Sequence, residues 1–144
     1  MNTADNATDT MESFFTRERA NEGVTLPLSR PDGTATKHFI KIRGIDSDAF
    51  HQAEANQRRR IYEATAEQDK DKLAQILSDI RTETQASLVI SWSFDAPCTI
   101  ENVKKLFREA PQIAEEVDRL ASRRALFFKT GSTNSSPSPA PSSS

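Results

Sequence analysis

The first patterned part of the chain alternates apolar and polar residues, as a half-buried β-strand does. Val24, Leu26 and Leu28 lie two residues apart. The sequence RPDG follows at residues 30–33, where the proline fixes φ, the aspartate binds local backbone and the glycine tolerates positive φ. We therefore predict a strand that ends in a tight turn.

A second alternating stretch, from about Thr36 to Arg43, predicts the return strand of a β-hairpin. Ile40 and Ile42 share one face, and the other face carries Phe39, Lys41 and Arg43. Pro27 has no N–H to donate to a ladder, so we expect the first strand to be an edge strand. Because an isolated hairpin is marginally stable in water, it must pack on helices.

Two helices are predicted next. Asp46-Ser47 is typical of an N-cap and starts a helix that runs to about Ala66 with a thin apolar stripe. The polar residues 67–71 either break this helix or continue it. The second helix follows the i, i+3, i+4, i+7 pattern at Leu73, Ile76, Leu77, Ile80, Ser87 and Leu88.

The segment after Ala86 is apolar on most sides, which indicates the centre of the core. Trp92 and Phe94 belong to it; we interpret Trp92 as a core residue, with a binding hot spot as the alternative. Thr99 then caps a short helix, and Pro111 suits the first turn of another. The fold class is therefore α+β: an N-terminal hairpin packed on about four helices.

Three parts of the chain differ in composition. Residues 1–12 are polar and predict a flexible head, residues 13–129 form the domain, and the Ser/Pro-rich residues 130–144 predict a disordered tail. The pair Phe14-Phe15 stands just after the head. We interpret it as docking back onto the core, with a partner contact as the alternative.

Charge and composition exclude several classes of function. The net charge is -2, so no global field favours nucleic acid or membrane surfaces. No run of about 18 apolar residues predicts a membrane span, and residues 1–13 lack the pattern of a secretory signal. One cysteine fits a reducing compartment, and with two histidines it leaves a metal site short of ligands. We expect no cofactor and no metal.

Catalytic motifs are missing as well. Cys98 precedes a predicted helix N-terminus, which lowers a thiol pKa in principle, but no histidine is placed to activate it, so we interpret it as inert. Glu115-Glu116 fits a solvated helix face. The four glycines form no phosphate-binding loop. The sequence predicts no enzyme activity.

The triplet Arg58-Arg59-Arg60 is the strongest basic cluster. Glu63 and Glu67 lie at helical spacing from it, so we interpret it as a salt-bridged, solvated helix face. A protein contact and a nucleic-acid contact are the alternatives.

Two long segments together resemble the tail assembly chaperones of long-tailed bacteriophages and prophages. They are VTLPLSRPDGTATKHFIKIRGIDSDAF at residues 24–50 and LVISWSFDAPCTIENVKKLFREAPQIAEEVDRLASRRALFF at residues 88–128. The carriers are the Trp-Ser-Phe-Asp step at 92–95, the Thr-x-Glu-Asn helix start at 99–102, the Glu-Ala-Pro-Gln-Ile-Ala junction at 109–114 and the closing Phe127-Phe128 pair.

The resemblance implies a non-enzymatic role in virion morphogenesis in the host cytoplasm. Such chaperones bind the tape-measure protein, a long, helix-rich, aggregation-prone chain, and keep it soluble before the tail tube forms; they are absent from the mature virion. In many members a translational frameshift makes a longer form that recruits tail-tube protein. A homo-oligomer is compatible with this role. The competing functions are a minor structural tail protein and a small DNA-binding regulator that uses Arg58–Arg60.

A client-binding surface is expected in the last part of the domain, where apolar side chains serve both the core and a partner. We expect at least half of the candidates to serve the core. The candidate partner-binding residues are Phe107, Ile113, Val117, Leu120, Arg123, Arg124, Phe127 and Phe128.

Overall fold

The computed structural model describes residues 10–128, and they form an antiparallel sheet with helices on one face. The strands are β1 (Val24–Ser29), β2 (Ala35–Ile42) and β3 (Val89–Trp92), in the order β1-β2-β3. The helices are α1 (Arg17–Glu22), α2 (Asp48–Ala64), α3 (Lys70–Ala86), α4 (Ile100–Glu109) and α5 (Pro111–Ala121). Short 3₁₀ turns, Met11–Phe14 and Arg124–Phe127, lie before α1 and after α5. The predicted α+β class is confirmed.

The predicted hairpin is present with its expected faces. Leu26 lies opposite Ile40, and both side chains are buried beneath the helices. Pro27 lies opposite Phe39 on β2. The Phe39 carbonyl accepts a hydrogen bond from the Ser93 N–H, and the Phe39 N–H donates one to the Ser93 hydroxyl. Since both groups of Phe39 are directed away from β1, the ring nitrogen of Pro27 faces the free edge of the sheet, and no ladder bond is lost.

The third strand corrects the sequence prediction. The apolar segment after Ala86, predicted only as the buried centre of the core, leaves α3 and becomes β3, which pairs antiparallel with β2. Ile40 lies opposite Trp92, and the ladder shifts register between Lys41 and Ile42. Periodicity alone does not separate a short buried strand from a buried helical segment.

The helix ends follow the predicted capping residues. The Ser47 hydroxyl accepts the Phe50 N–H and starts α2, and the Thr99 hydroxyl accepts the Asn102 N–H and starts α4. The end of α2 lies at Ala64 rather than near Ala66. Asp69 then caps α3, so the polar residues 67–71 break the helix instead of continuing it.

One apolar cluster joins the inner face of the sheet to α3, α4 and α5. Trp92 and Phe94 are half-buried against this cluster, and their rings meet edge to face at 5.2 Å. This position favours the core interpretation of Trp92. The fully buried members include Ile40, Ile42, Leu88, Val103, Val117 and Ala121.

The helical hairpin α2–α3 is held differently. None of the 17 residues of α2 is buried, and the Arg60 guanidinium reaches across to Glu83 on α3 at 2.7 Å. Where α3 meets α4, the buried Lys104 ammonium lies 2.8 Å from Asp79. The Arg60–Glu83 pair holds the two helices of the hairpin together, whereas the Lys104–Asp79 pair and the buried Ala86 join the hairpin to the rest of the domain.

Candidate partner-binding surface

The loop between β2 and α2 collects both ends of the described chain. Its Asp46 carboxylate accepts the Thr16 hydroxyl at 2.7 Å from the N-terminal side. From the C-terminal side the Arg124 guanidinium donates to the same carboxylate through Nε at 2.7 Å and Nη2 at 3.0 Å. One half-buried carboxylate therefore joins segments that are more than a hundred residues apart in sequence.

The electrostatics of this junction follow from those hydrogen bonds. The Arg124 guanidinium, assisted by the Thr16 hydroxyl, holds the pKa of Asp46 below its ordinary value, although partial burial opposes the shift. Asp48, two residues later, accepts Arg17 through Nε at 2.8 Å and Nη2 at 3.0 Å, and this pair lowers the pKa of Asp48. Both carboxylates thus stay ionised at neutral pH and hold the terminal segments in place.

Large apolar side chains are exposed on these same terminal segments. Phe14 is 73% exposed, Phe15 is 50% exposed and Phe128 is 40% exposed, and Met11 is exposed beside them in the chain. The predicted docking of the Phe14-Phe15 pair onto the core is therefore wrong, which leaves the alternative, a partner contact. We call Met11, Phe14, Phe15 and Phe128 the terminal surface.

An open cleft of about 770 Å³ adjoins the terminal surface. Phe15 supplies an aromatic wall, and the polar groups of Thr16, Arg17, Asp46 and His51 stand around it. A cleft with an apolar wall and a charged rim suits a protein side chain or a short amphipathic segment.

The predicted partner-binding residues divide between core and surface. Phe107, Val117 and Phe127 are buried, and Ile113 and Leu120 are half-buried against the core, so most of the set serves the domain itself, as expected. The surface members are Arg123, Arg124 and Phe128.

Ile113 also borders a second, smaller groove, about 290 Å³ in volume, between α5 and the edge strand. Its lining combines apolar Leu26 and Leu28 with polar Gln112 and Glu116. The residues that line this groove are separated in sequence from the terminal segments.

The residues considered for chemistry are placed for structure. Burial raises the pKa of the Cys98 thiol, and the positive charge of Arg43 opposes this effect only in part. His38 Nδ1 lies 3.0 Å from the Ser93 hydroxyl, and its ring packs on Phe94 at 4.8 Å. Arg43 was expected on the outer face of the hairpin; its guanidinium instead donates to the Ser87 carbonyl at the end of α3.

The arginine triplet is largely neutralised within the helical hairpin. Arg60 pairs with Glu83 rather than with the predicted neighbours, while Arg59 lies 4.0 Å from Glu63 at helical spacing. Hydrogen bonding to Glu83 raises the pKa of Arg60. These contacts favour the salt-bridged interpretation over the nucleic-acid contact.

Two further properties concern residues 10–128 only. Within that range, no group of three or more His, Cys, Asp and Glu side chains is arranged to hold a metal ion. None of the helices described there has the length and apolar character needed to cross a membrane. The predicted head up to residue 9 and the predicted Ser/Pro tail lie outside the described residues.

Comparison of the chain with protein-family models, with curated proteins and with solved structures gave no match. Any statement about function therefore depends on the residues and geometry of this chain.

Sequence reasoning missed Asp46 as the residue that organises the terminal surface. It was predicted only as part of a helix cap, because its partners Thr16 and Arg124 lie 30 and 78 residues away. The signals in the sequence for this surface were the Phe14-Phe15 pair and the candidates Arg124 and Phe128.

Proposed function

We propose that the protein is a bacteriophage tail assembly chaperone that binds the tape-measure protein and keeps it soluble during tail morphogenesis. It acts in the host cytoplasm without catalysis and is absent from the mature virion. A longer form, where a frameshift produces one, recruits tail-tube protein. The observation that carries the proposal is the terminal surface, where three phenylalanines are 40–73% exposed on segments joined by Asp46.

The composition of this surface suits a holdase. Large exposed apolar side chains on a small protein suit an interaction site, since leaving them in water is unfavourable. Aromatic side chains supply large contact area at low conformational cost. The rim residues Arg17, Asp46 and Arg124 are charged, which keeps the free protein soluble and leaves the apolar centre for the client.

A helix-rich client fits the geometry of the site. An amphipathic helix presents apolar side chains every three or four residues, and the Phe15 wall of the cleft offers them an apolar contact. Covering those client residues removes the surface through which client chains would aggregate. The proposed identity of the client comes from the sequence resemblance, and the exposed rings of the terminal surface support the proposal that the client binds there.

Co-expression with the tape-measure protein of the same phage tests the proposal. We expect a soluble complex that is lost when this chain is omitted. The triple variant Phe14→Ser/Phe15→Ser/Phe128→Ser removes the exposed rings without touching the buried Phe127, so it should fold normally and retain at most about a tenth of the client.

The matched control is Phe39→Ser/Tyr62→Ser, which removes exposed rings from the sheet and from the helical hairpin. This control should hold the client as well as the natural protein does. Equal recovery of client by both variants would place the binding site elsewhere. Failure of the natural chain to keep the client soluble would refute the chaperone function, and recovery from purified virions at a fixed copy number would favour the structural tail protein.

A further inference from the structure

Residues 10–22, which we call the strap, pack on the domain at Gly44 and Phe127. We call these two residues the seat of the strap. Ala20 is the one buried residue of α1, and it is 1% exposed. It lies over Gly44, whose N–H donates to the Ala20 carbonyl at 3.0 Å. A Cβ atom on Gly44 would lie 3.0 Å from the Ala20 Cβ and 3.0 Å from Cδ2 of Phe127. Ala20 and the Phe127 ring therefore meet above a backbone position that has no side chain.

The remaining side-chain attachments of the strap are polar: those to Asp48 are exposed to solvent, and the one to Asp46 is partly buried. Arg17 pairs with Asp48, and the two side chains are 69% and 61% exposed. Asn21 Nδ2 donates to the same carboxylate at 3.1 Å, and Thr16 donates to Asp46. Exposed ion pairs stabilise weakly and are screened by salt, so these contacts hold the strap far less firmly than the core holds the sheet.

A glycine joins the strap to the sheet. Gly23 adopts a φ of +88°, and a Cβ there would lie 2.6 Å from the Ile42 carbonyl oxygen. Only glycine accepts that geometry without strain, and glycine also has the widest range of backbone conformations once the strap leaves its seat. The position of Gly23 suits a hinge between α1 and β1.

The seat is occupied by a helix, α1, in this structure. Because α1 is a helix that packs against Gly44 and Phe127 through one small side chain, another helix with a small residue at that position fits the same place. Lifting the strap uncovers Phe127 next to the exposed Phe128, which enlarges the apolar surface at the C-terminal end of the domain.

We propose that the strap is displaceable and that an amphipathic helix of the client takes the place of α1 against Gly44 and Phe127. This inference rests on the proposed function for the identity of the client. It explains how Phe127, which is 1% exposed, can contribute to client binding. Phe14 and Phe15 make the first contact with the client, and they then move away from the domain together with the strap.

A reversible lock tests the displacement. Asn21→Cys/Asp48→Cys, in a Cys98→Ser background, replaces two side chains that touch with a pair that oxidation can join. We expect the oxidised protein to lose about nine-tenths of its client binding and to regain it on reduction. Client binding that is equal before and after oxidation would overturn the inference and leave the chaperone function intact.

A loosened strap tests the same point without any client. Arg17→Ala/Asn21→Ala removes the side-chain bonds to Asp48, and hydrogen exchange then follows the amides of Ala20 and Gly23, which bond to Thr16 and Arg19. We expect those two amides to exchange about tenfold faster, with the amides of β2 unchanged. The control Arg59→Ala/Arg119→Ala removes exposed ion pairs elsewhere and should leave the Ala20 and Gly23 amides unchanged.

The two experiments separate the two proposals. If the reduced protein does not bind the client at all, the proposed function fails, and hydrogen exchange alone decides whether the strap opens. Exchange of the Ala20 and Gly23 amides as slow as that of the buried β2 amides, in both the natural chain and the loosened variant, would overturn the inference.

Discussion

The interior of the domain and the ends of its described chain are held by different forces. Between the sheet and helices α4 and α5, side chains such as Ile40, Val117 and Phe107 are buried almost completely. At the ends, α1 contributes one buried residue, and the carboxylates of Asp46 and Asp48 hold the rest. Burial of apolar area is indifferent to salt and pH, whereas exposed ion pairs depend on both. We therefore expect the attachment of the strap to depend on salt and pH more strongly than the packing of the interior does.

The largest effect is expected from a cavity in the interior. Phe107→Ala in α4 should lower the free energy of unfolding by about 3–5 kcal/mol, because a ring that is 4% exposed leaves a void behind. Ile61→Ala in α2, where the side chain is 37% exposed, should cost under about 1 kcal/mol. Urea unfolding of both variants measures the difference. Similar losses in the two variants would mean that α2 is packed as tightly as α4.

A smaller effect is expected at Lys104, the one charged residue that is buried among residues 10–128. Lys104→Ala removes the ammonium that pairs with Asp79 and leaves a gap in the packing. We expect it to lower the free energy of unfolding by about 1–3 kcal/mol. The loss stays moderate because the half-exposed Asp79 regains water. Lys104→Met fills the same space without charge and should be close to neutral. Comparison of the two variants by thermal unfolding separates packing from charge; an equal loss in both would show that the ion pair itself stabilises the domain.

The smallest effect is expected at the ends, and it depends on pH. The native pKa of Asp46 lies below its value in the unfolded chain, so its ionised form stabilises the fold above pH about 4, and this contribution is lost as the pH falls through the native pKa. Asp46→Asn should therefore be less stable than the natural protein near pH 7 and equal to it in acid. Urea midpoints measured from pH 7 to pH 3 check this.

The control for that series is Asp95→Asn, which changes an exposed carboxyl in the loop after β3. Its urea midpoint should follow that of the natural protein at every pH. A difference between Asp46→Asn and the natural protein that persists in acid would mean that the carboxamide disturbs packing, and that charge is not what holds the ends.

Local signals in the sequence predicted most of the local structure. The hairpin, its faces at Ile40 and Ile42, the caps at Ser47 and Thr99 and the edge position of Pro27 each depend on neighbours within a few residues. Such short-range patterns act on the backbone before tertiary contacts form, so they can be read from the chain.

Long-range contacts were beyond that reasoning. Strand β3 pairs with a strand about fifty residues earlier, and Arg60 finds Glu83 on another helix instead of Glu63 on its own. For the candidate site, the sequence supplied the apolar positions and the expectation that most serve the core. It did not show that Phe128 is exposed while Phe127 is buried, or that Asp46 joins both ends, because tertiary packing alone decides these points.

The proline at the rim of the sheet has a consequence for how molecules of this protein meet. A foreign strand that approached β1 would find no amide proton at Pro27, so a continuous ladder cannot grow along that edge. Association of two molecules at this edge is therefore limited to side-chain contacts. Such contacts form and break faster than a backbone hydrogen-bond ladder between two strands. A cell that makes many copies of this chain is thereby spared fibrils nucleated along β1.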